Sequence, residues 1–441
     1  MYIKLQNVGV IDEATVDLTG LSVIAGKNGA GKSTVGKNIY TIIKAIQEQN
    51  TIVKKTTHEV LDWACKNIYF LLQGPIARAA NAGKMVKSDA DLLESLFQRG
   101  AFEVLLKQYI DENNLDEAVK LVESRKNSVD EFSDVIDVST KQNTKDILDT
   151  IKSRLVPMSP ETILKEALVI MYQKVFDGQI TNVESHLTSS IDFGGLLRFS
   201  ISNNADTLSL SERLTVEYAD PQISQKVFQD VTFVETPLIL QLENFKNVES
   251  LPHYWQDLFP KTNVDGNAGV PNDIIKDALS NISDALGGSL KWNANKRRYE
   301  FVKRNFSKGA NVSINNAASG EKVLGIFQQL ALNGMFGPDK ITILDEPENH
   351  LHPQWLAILA EVLIKLALAN CPILIASHSP DFLQALRFYA NKHKFADLKF
   401  YLANSDTHTI EDKTGKESEI FDNLAKPIND IFDFSVSEAL A

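Results

Sequence analysis

The sequence has few cysteines and no excess of positive charge, and each of these features excludes some classes of protein. The 441 residues include two cysteines, Cys65 and Cys371, too few for a disulfide framework, so we expect a reducing compartment. Asp and Glu number 57 against 45 Lys and Arg, which gives a formal net charge of −12. This balance argues against a protein that coats nucleic acid by bulk charge, although a local basic patch can still meet nucleic acid.

Long apolar runs and sustained heptads are also missing. No run approaches the ~20 residues of a membrane span, and the N-terminus has no secretory signal, so we expect a cytoplasmic protein without a membrane partner. The apolar spacing never holds a heptad long enough for an extended coiled coil. The composition, 44% hydrophobic and 23% charged, is that of a globular protein, and the length predicts two or three structural units.

Both ends of the chain have the pattern of an α/β protein. Apolar or alternating runs at 2–8, 14–18 and 21–25 predict strands, and a glycine-rich turn then leads into a helix over about 32–49. From residue 341 the order strand, helix, strand, helix, strand returns. Because strand, glycine turn and helix open a nucleotide-binding unit, we predict an α/β fold.

The middle of the chain predicts a mostly helical insertion followed by short strands. Ser159 and Pro160 form a good helix start, with Ser as the cap and Pro at the first helical position. A β-hairpin is predicted near residues 290–302. The predicted division is an N-terminal part of the nucleotide-binding unit at 1–54, the helical insertion at 55–185, a β-rich and helical continuation at 186–310, and the C-terminal part with a short tail at 311–441.

The glycine-rich turn fits the phosphate-binding loop G-x-x-x-x-G-K-[ST]. Its glycines allow backbone conformations that aim successive N–H groups at phosphate oxygens, and the following helix N-terminus adds a partial positive charge. Lys32 is expected to reach the β- and γ-phosphates, and Ser33 to ligate Mg²⁺. The predicted nucleotide-binding residues of this loop are Asn28, Gly29, Ala30, Gly31, Lys32, Ser33 and Thr34.

Two carboxylates follow the apolar run that begins at Ile341. Asp345 is predicted to lie beside the phosphate loop and to hold Mg²⁺ through water. Glu346 then lies where a general base polarises the attacking water. An acidic turn after a strand is common by itself, but downstream of a phosphate loop this pair indicates a metal ligand and a catalytic residue.

Two further segments add candidate site residues. His378 follows the next buried strand and is predicted to contact the γ-phosphate and sense its presence, whereas a lone strand-end histidine elsewhere is usually structural. Ser319 and Gly320 precede a predicted helix at 323–332, where a hydroxyl and a helix N-terminus form a second phosphate-facing surface. Without the other motifs, Ser319 is an ordinary helix cap.

In this order the four motifs resemble the ATPase head of the ATP-binding-cassette (ABC) family. The stretch from Asp345 to Pro353, Asp-Glu-Pro-Glu-Asn-His-Leu-His-Pro, and the Ser-His-Ser-Pro run at 377–380 resemble the branch shared by RecF/SMC-type heads and the OLD (overcoming lysogenisation defect) ATPases. The resemblance covers roughly residues 1–50 and 310–403. It implies a two-lobed head with a mixed sheet, ATP and Mg²⁺ as ligands, and a homodimer or higher oligomer. In that dimer Ser319 and Gly320 of the partner subunit cap the ATP held by Lys32.

The sequence departs from the family pattern in three places. The signature is Ala-Ser-Gly-Glu-Lys instead of a fuller Leu-Ser-Gly-Gly. The glutamine that reaches Mg²⁺ in ABC heads is not obvious, and Gln241 is the candidate. OLD nucleases carry a Toprim domain after the switch histidine, but the segment after His378 is short and has no Asp-x-Asp pair, so we expect no nuclease centre of that type.

Two clusters have more than one interpretation. His350 and His352, with Glu348 nearby, are compatible with a metal site, but a further ligand is lacking and the resemblance makes this the D-loop at a dimer interface. Arg297 and Arg298, with neighbouring lysines, form the clearest basic cluster, which either meets nucleic acid or an acidic partner, or is a solvated hairpin face.

Three functions compete. The first is an ATPase that senses or regulates a separate effector, a nuclease or toxin, as the resemblance to stand-alone antiphage ATPases of the Septu PtuA and PARIS AriA types implies. The second is a RecF/SMC-like DNA-repair or chromosome-maintenance head, which the acidic charge and the missing coiled coil disfavour. The third is a transporter ATPase subunit, disfavoured by the long segment between residues 50 and 311.

Overall fold

The structure is a computed structural model. It describes residues 1–81, 101–131, 136–182, 187–203, 208–241, 251–263, 272–293, 295–296, 298–304, 311–349 and 351–425. Arg297 and His350, which carried two of the interpretations above, lie outside these ranges. Within them, no helix has the length and apolarity needed to cross a membrane.

Fourteen strands are described, and eleven of them form one sheet. The strands are β1 (Tyr2–Val8), β2 (Ile11–Asp17), β3 (Leu21–Gly26), β4 (Ser189–Phe193), β5 (Leu197–Ile201), β6 (Leu214–Ala219), β7 (Asp230–Val234), β8 (Gly288–Asn293), β9 (Arg298–Lys303), β10 (Asn311–Ser313), β11 (Lys340–Asp345), β12 (Ile373–Ser377), β13 (Leu398–Asn404) and β14 (Thr409–Asp412). The large sheet has the order β6-β5-β4-β1-β2-β14-β13-β3-β12-β11-β7, and β10-β9-β8 form a separate small sheet.

The helices flank these strands and also form the insertion. They are α1 (Lys32–Gln47), α2 (Gln49–Asn81), α3 (Ala101–Asp111), α4 (Leu115–Glu131), α5 (Val138–Arg154), α6 (Pro160–Phe176), α7 (Leu210–Arg213), α8 (Ile223–Lys226), α9 (His253–Thr262), α10 (Asp273–Ala285), α11 (Ser319–Leu332), α12 (Pro353–Leu368) and α13 (Pro380–Lys392). Short 3-10 turns occur at Pro237–Gln241 and Ile314–Asn316.

The large sheet is mixed. Strands β13, β3, β12, β11 and β7 run parallel to one another, whereas β1, β2, β4, β5 and β6 are paired antiparallel. Strand β14 joins the two halves, because it pairs antiparallel with β13 and parallel with β2. The predicted α/β class with a mixed sheet is therefore confirmed.

The parallel half brings the carboxyl ends of its five strands to one edge. Strand β3 is buried along its whole length, as expected for a strand covered on both faces. The register pairs Ala25 with Ser377 and Asp345 with Ala376. The ends of β3, β11 and β12, which carry the phosphate loop, the carboxylates and the histidine, are thus neighbours.

The chain divides into two compact units, residues 1–47 with 168–441, and residues 48–167. The second unit is helical and has its own apolar core, which includes Leu61, Leu106 and Leu148. This unit begins at residue 48, where the sequence-based division has 55, and it ends at residue 167, where that division has 185.

Most of the elements that the sequence predicts are present, but one predicted helix start was wrong and one strand was not predicted. Ser159 caps α6, since its Oγ accepts a hydrogen bond from Thr162 N at 3.2 Å. Helix α11 begins at Ser319, four residues before the predicted start at 323, and Ala318 precedes it. Strand β14, which contains Glu411 and Asp412, was not predicted, because long-range pairing stabilises a strand that has no local apolar pattern.

Candidate functional site

The phosphate loop connects β3 to α1 as the motif predicts. Gly29 and Gly31 have φ values of +80° and +86°, which side-chain-bearing residues rarely adopt. At Gly31 a Cβ atom would also come within 2.6 Å of Ile11 Cγ1 in the β1–β2 hairpin. The loop therefore needs glycine at position 31 for two separate reasons.

Lys32 points into its own loop. Its side-chain Nζ donates to the backbone oxygens of Gly26 and Lys27, both at 2.8 Å, and the residue is only 5% exposed. Burial lowers the pKa of this ammonium, and the charges of Glu346, Asp345 and Glu348 oppose that shift. A cationic donor is thus held at the centre of the loop with carboxylates around it.

Ser33 and Asp345 meet across the site. Ser33 Oγ donates to Asp345 Oδ1 at 3.0 Å, which joins the start of α1 to the end of β11. Burial raises the pKa of Asp345, the hydrogen bond from Ser33 lowers it, and the nearby charges of Glu235 and Glu346 raise it further.

This donor pair fits Mg²⁺. A hydroxyl and a carboxylate are hard oxygen ligands, and Mg²⁺ is usually held by one or two such groups together with substrate phosphates and water. Among the described residues no group of three or more His, Cys, Asp and Glu side chains is arranged to hold a metal. Ser33 and Asp345 supply one hydroxyl and one carboxylate oxygen of this kind.

Glu346 has an unusual backbone and two side-chain neighbours. Its φ is +50°, a left-handed conformation uncommon for residues other than glycine, and its N–H donates to Ala376 O at 2.8 Å. Asn349 Nδ2 donates to its Oε2 at 2.9 Å, and His378 Nδ1 lies 3.0 Å from its Oε1. The predicted base and the predicted sensor are thus adjacent.

A pocket of about 510 Å³ is centred on these groups. Its lining residues are Val10, Asn28, Gly29, Gly31, Lys32, Ser33, Thr34, Glu235, Asp345, Glu346 and Asn349. Of the predicted loop residues, Ala30 is buried and does not line the pocket. His378 reaches the site through Glu346.

Glu235 is a pocket residue that the sequence analysis missed. It follows β7, whose Val234 pairs with Leu344 of β11, so Glu235 and Asp345 end neighbouring parallel strands. Tyr254 OH donates to both carboxylate oxygens at 3.1–3.2 Å, and Trp255 Nε1 donates to Oε2 at 3.1 Å. Lys37 Nζ lies 3.4 Å away. The available signal was the same as for Asp345, an apolar strand ending in a carboxylate.

Several other predicted residues lie elsewhere. Gln241 does not line the pocket, and its Nε2 contacts Asn315 Oδ1 at 3.4 Å. Ser319 and Gly320 are not brought to the pocket within one chain. At Gly320 a Cβ atom would come within 2.5 Å of the Trp355 ring, so the start of α11 packs against the start of α12.

His352, one of the two histidines considered as metal ligands, caps α12, and its Nδ1 accepts a hydrogen bond from Gln354 N at 3.3 Å.

The basic cluster is largely neutralised where it is described. Lys296 and Arg298 both contact Glu300, at 3.0 and 2.9 Å, and Lys303 forms an ion pair with Glu321. These partners favour a hairpin face held by its own ion pairs.

Comparison with known proteins identifies a family. The model of the AAA ATPase domain (AAA_15) matches residues 1–383. No curated protein matches the chain.

Solved structures with similarity to the chain include SMC heads. The SMC head bound to the C-terminal winged-helix domain of ScpA is 10% identical, with a TM-score of 0.38 over 93% of this chain and 95% of that chain. The SMC head domain from Thermotoga maritima is also 10% identical, with a TM-score of 0.36 over 93% and 97% of the two chains.

The family model spans most of the chain and includes the phosphate loop, the two carboxylates and His378. This chain therefore belongs to the AAA ATPase domain family.

Proposed function

We propose that the chain binds ATP with Mg²⁺ at this pocket and hydrolyses it to ADP and phosphate. The observation that carries the proposal is the contact between Ser33 and Asp345, at 3.0 Å, beside the buried amine of Lys32. It joins a phosphate loop to a strand-end carboxylate, the pairing that holds Mg²⁺ in phosphate-loop ATPases.

Each residue of the pocket has a separate role in this proposal. The ammonium of Lys32 gives up its hydrogen bonds to the loop carbonyls and donates to phosphate oxygens instead, which is a charge-assisted contact. Glu346 orients the attacking water and accepts its proton, and Asn349 and His378 hold the carboxylate in place. When bound, Mg²⁺ neutralises charge on the β- and γ-phosphate oxygens.

The test of nucleotide binding is Lys32→Ala. Because this change leaves the phosphates only backbone donors, we expect ATP affinity to fall by about 100-fold or more. The control is Lys27→Ala, which removes an exposed lysine from the same loop and should leave affinity within about three-fold. Titration with a fluorescent ATP analogue measures both, and unchanged affinity of Lys32→Ala would overturn the assignment.

We further propose an ABC-type dimer in which Ser319 and Gly320 of the partner subunit close the nucleotide pocket. The start of α11 lies away from the pocket of its own chain, as a contribution to a second chain requires. In this arrangement the two ATP sites are shared between subunits.

The finer biological proposal is a regulator of a separate effector protein, a nuclease or toxin, in bacterial antiphage defence. Its support is the resemblance of the segments at 345–353 and 377–380 to the branch that RecF/SMC-type heads share with the OLD ATPases, because OLD-type ATPases without a nuclease domain resemble the sensor components of antiphage systems. Affinity purification of the Glu346→Gln chain with ATP tests it, since this variant should hold the ATP-bound state. A co-purifying nuclease or toxin whose activity changes with ATP supports the proposal. Recombination proteins or DNA favour the RecF/SMC-like alternative, and a permease favours a transporter subunit.

A further inference from the structure

Glu348 is a buried carboxylate beside the pocket that the proposed hydrolysis leaves without a role. It follows Asp345 and Glu346 in the same segment, but it does not line the pocket, and its side chain is only 4% exposed. Burial raises the pKa of this carboxyl, and the hydrogen bond from Ser377 opposes the shift. Burying a carboxylate destabilises the fold unless hydrogen bonds or nearby charges compensate for the lost hydration.

The contacts of Glu348 converge on the segment that carries His378. Its Oε1 accepts from Ser377 Oγ at 2.5 Å and from the backbone N–H of His378 at 3.2 Å. Ser377 Oγ in turn accepts from Ser379 N at 3.1 Å. One carboxylate oxygen therefore fixes the backbone at the exit of β12, where the chain turns toward α13.

This segment determines where the His378 ring lies. The ring is 39% exposed, and its Nδ1 is 3.0 Å from Glu346 Oε1 and 3.8 Å from Glu348 Oε1. Glu348 is also close to Glu346 along the chain, because only Pro347 separates them. Glu348 is thus connected to His378 by a hydrogen bond to its backbone amide, and to Glu346 by the intervening backbone.

We propose that Glu348 is a positioning residue, which holds His378 against Glu346 through its hydrogen bonds to Ser377 and to the His378 amide. The inference rests on the proposed ATP hydrolysis. Both donors meet a single oxygen, Oε1, so an amide oxygen at the same place can substitute for the carboxylate. Lys32 and Ser33, the residues proposed to bind nucleotide, make their hydrogen bonds elsewhere, to the loop carbonyls and to Asp345.

The experiment measures single-turnover ATP hydrolysis and ATP affinity in three variants. Glu348→Leu keeps the apolar packing but removes the acceptor, and we expect hydrolysis to fall by about 10-fold or more with affinity within about three-fold. Glu348→Gln restores the acceptor and should hydrolyse within about three-fold of wild type. Ser377→Ala removes one donor without changing the buried acid and should fall between them. Glu217→Ala, at an exposed glutamate of β6, is the matched control.

A double-variant comparison separates positioning from general stability. If Glu348 acts through His378, Glu348→Leu should cost less than about two-fold in a His378→Ala background. Folded Glu348→Leu that hydrolyses at the wild-type rate, or that loses the same factor with and without His378, would overturn the inference alone. If Glu348→Leu fails to fold, Ser377→Ala with wild-type hydrolysis has the same consequence. A wild-type chain that does not hydrolyse ATP would overturn the proposed function, and the inference with it.

Discussion

Two glycines of the phosphate loop allow the effect of backbone strain to be distinguished from the effect of steric contact. Gly29 and Gly31 both have positive φ, but a Cβ at Gly29 would meet nothing within 4 Å, whereas one at Gly31 would come within 2.6 Å of Ile11. A left-handed conformation costs a residue with a side chain roughly 1–2 kcal/mol. At Gly31 the displacement of the β1–β2 hairpin is added to that cost.

We therefore expect Gly31→Ala to weaken ATP binding more than Gly29→Ala does. The expected difference is about ten-fold, because only Gly31→Ala must move the hairpin or the loop. Calorimetric titration with ATP and Mg²⁺ measures both variants against wild type. Equal losses in the two variants would show that the contact with Ile11 has no influence on the loop.

The sequence motifs predicted most residues of the site but not the contacts among those residues. Asp345 and Glu346 were predicted because carboxylates after a buried strand lie near a phosphate loop when the strands are neighbours. Glu235 carries the same local signal, yet its place beside Asp345 depends on the pairing of β7 with β11 across more than a hundred residues. The approach of His378 to Glu346 depends likewise on the adjacency of β11 and β12.

At the scale of elements, the hairpin β8–β9 shows how a basic cluster can be structural. Glu300 of β9 is 2% exposed and accepts hydrogen bonds from Asn293, Lys296, Arg298 and Asn311. These bonds, that from Asn293 foremost, lower the pKa of Glu300 from 4.5 to about 2 against the opposing effect of burial. The cluster thus binds its own acid.

The lowered pKa of Glu300 predicts a pH-dependent stability. A carboxyl whose folded pKa lies below its unfolded value stabilises the fold fully above the unfolded pKa, and this contribution is lost as the pH falls from 4.5 toward about 2. We expect Glu300→Gln to lower the thermal unfolding midpoint at pH 7, with a smaller difference from wild type at pH 3. The exposed Glu217→Gln is the control. A difference that stays constant across this range would contradict the role of the charge.

Two elements that the sequence analysis did not predict, β14 and α10, differ in what stabilises them. Strand β14 has four residues without an apolar alternation, and it exists because it pairs with both β13 and β2. Helix α10 is different: Asn272 caps it through a 2.8 Å hydrogen bond from Ile274 N, and Ile275, Ala278 and Ile282 form its buried face. The cap and apolar spacing of α10 are a local helix signal that was overlooked, whereas β14 has no local strand signal.

At the scale of the whole molecule, the proposed shared site makes a prediction about mixed subunits. Lys32→Ala and Ser319→Arg chains should each be inactive alone, but a mixed dimer regains one site built from intact Lys32 and from intact Ser319 of the partner subunit. An equal mixture should recover roughly a quarter of the wild-type rate by random pairing. Hydrolysis measured before and after mixing tests this. Failure to recover, with both variants folded, would contradict a site shared in this way.

The most direct test of the proposed ATPase is Glu346→Gln, measured by equilibrium ATP binding and single-turnover hydrolysis on the same preparation. The amide keeps the shape of the side chain and its contact with Asn349 but cannot accept the proton of the attacking water. We predict affinity within about three-fold of wild type and hydrolysis reduced by about 100-fold or more. Hydrolysis at the wild-type rate would contradict the assignment of Glu346 as the base, and loss of ATP binding together with hydrolysis would contradict the separation of its role from that of Lys32.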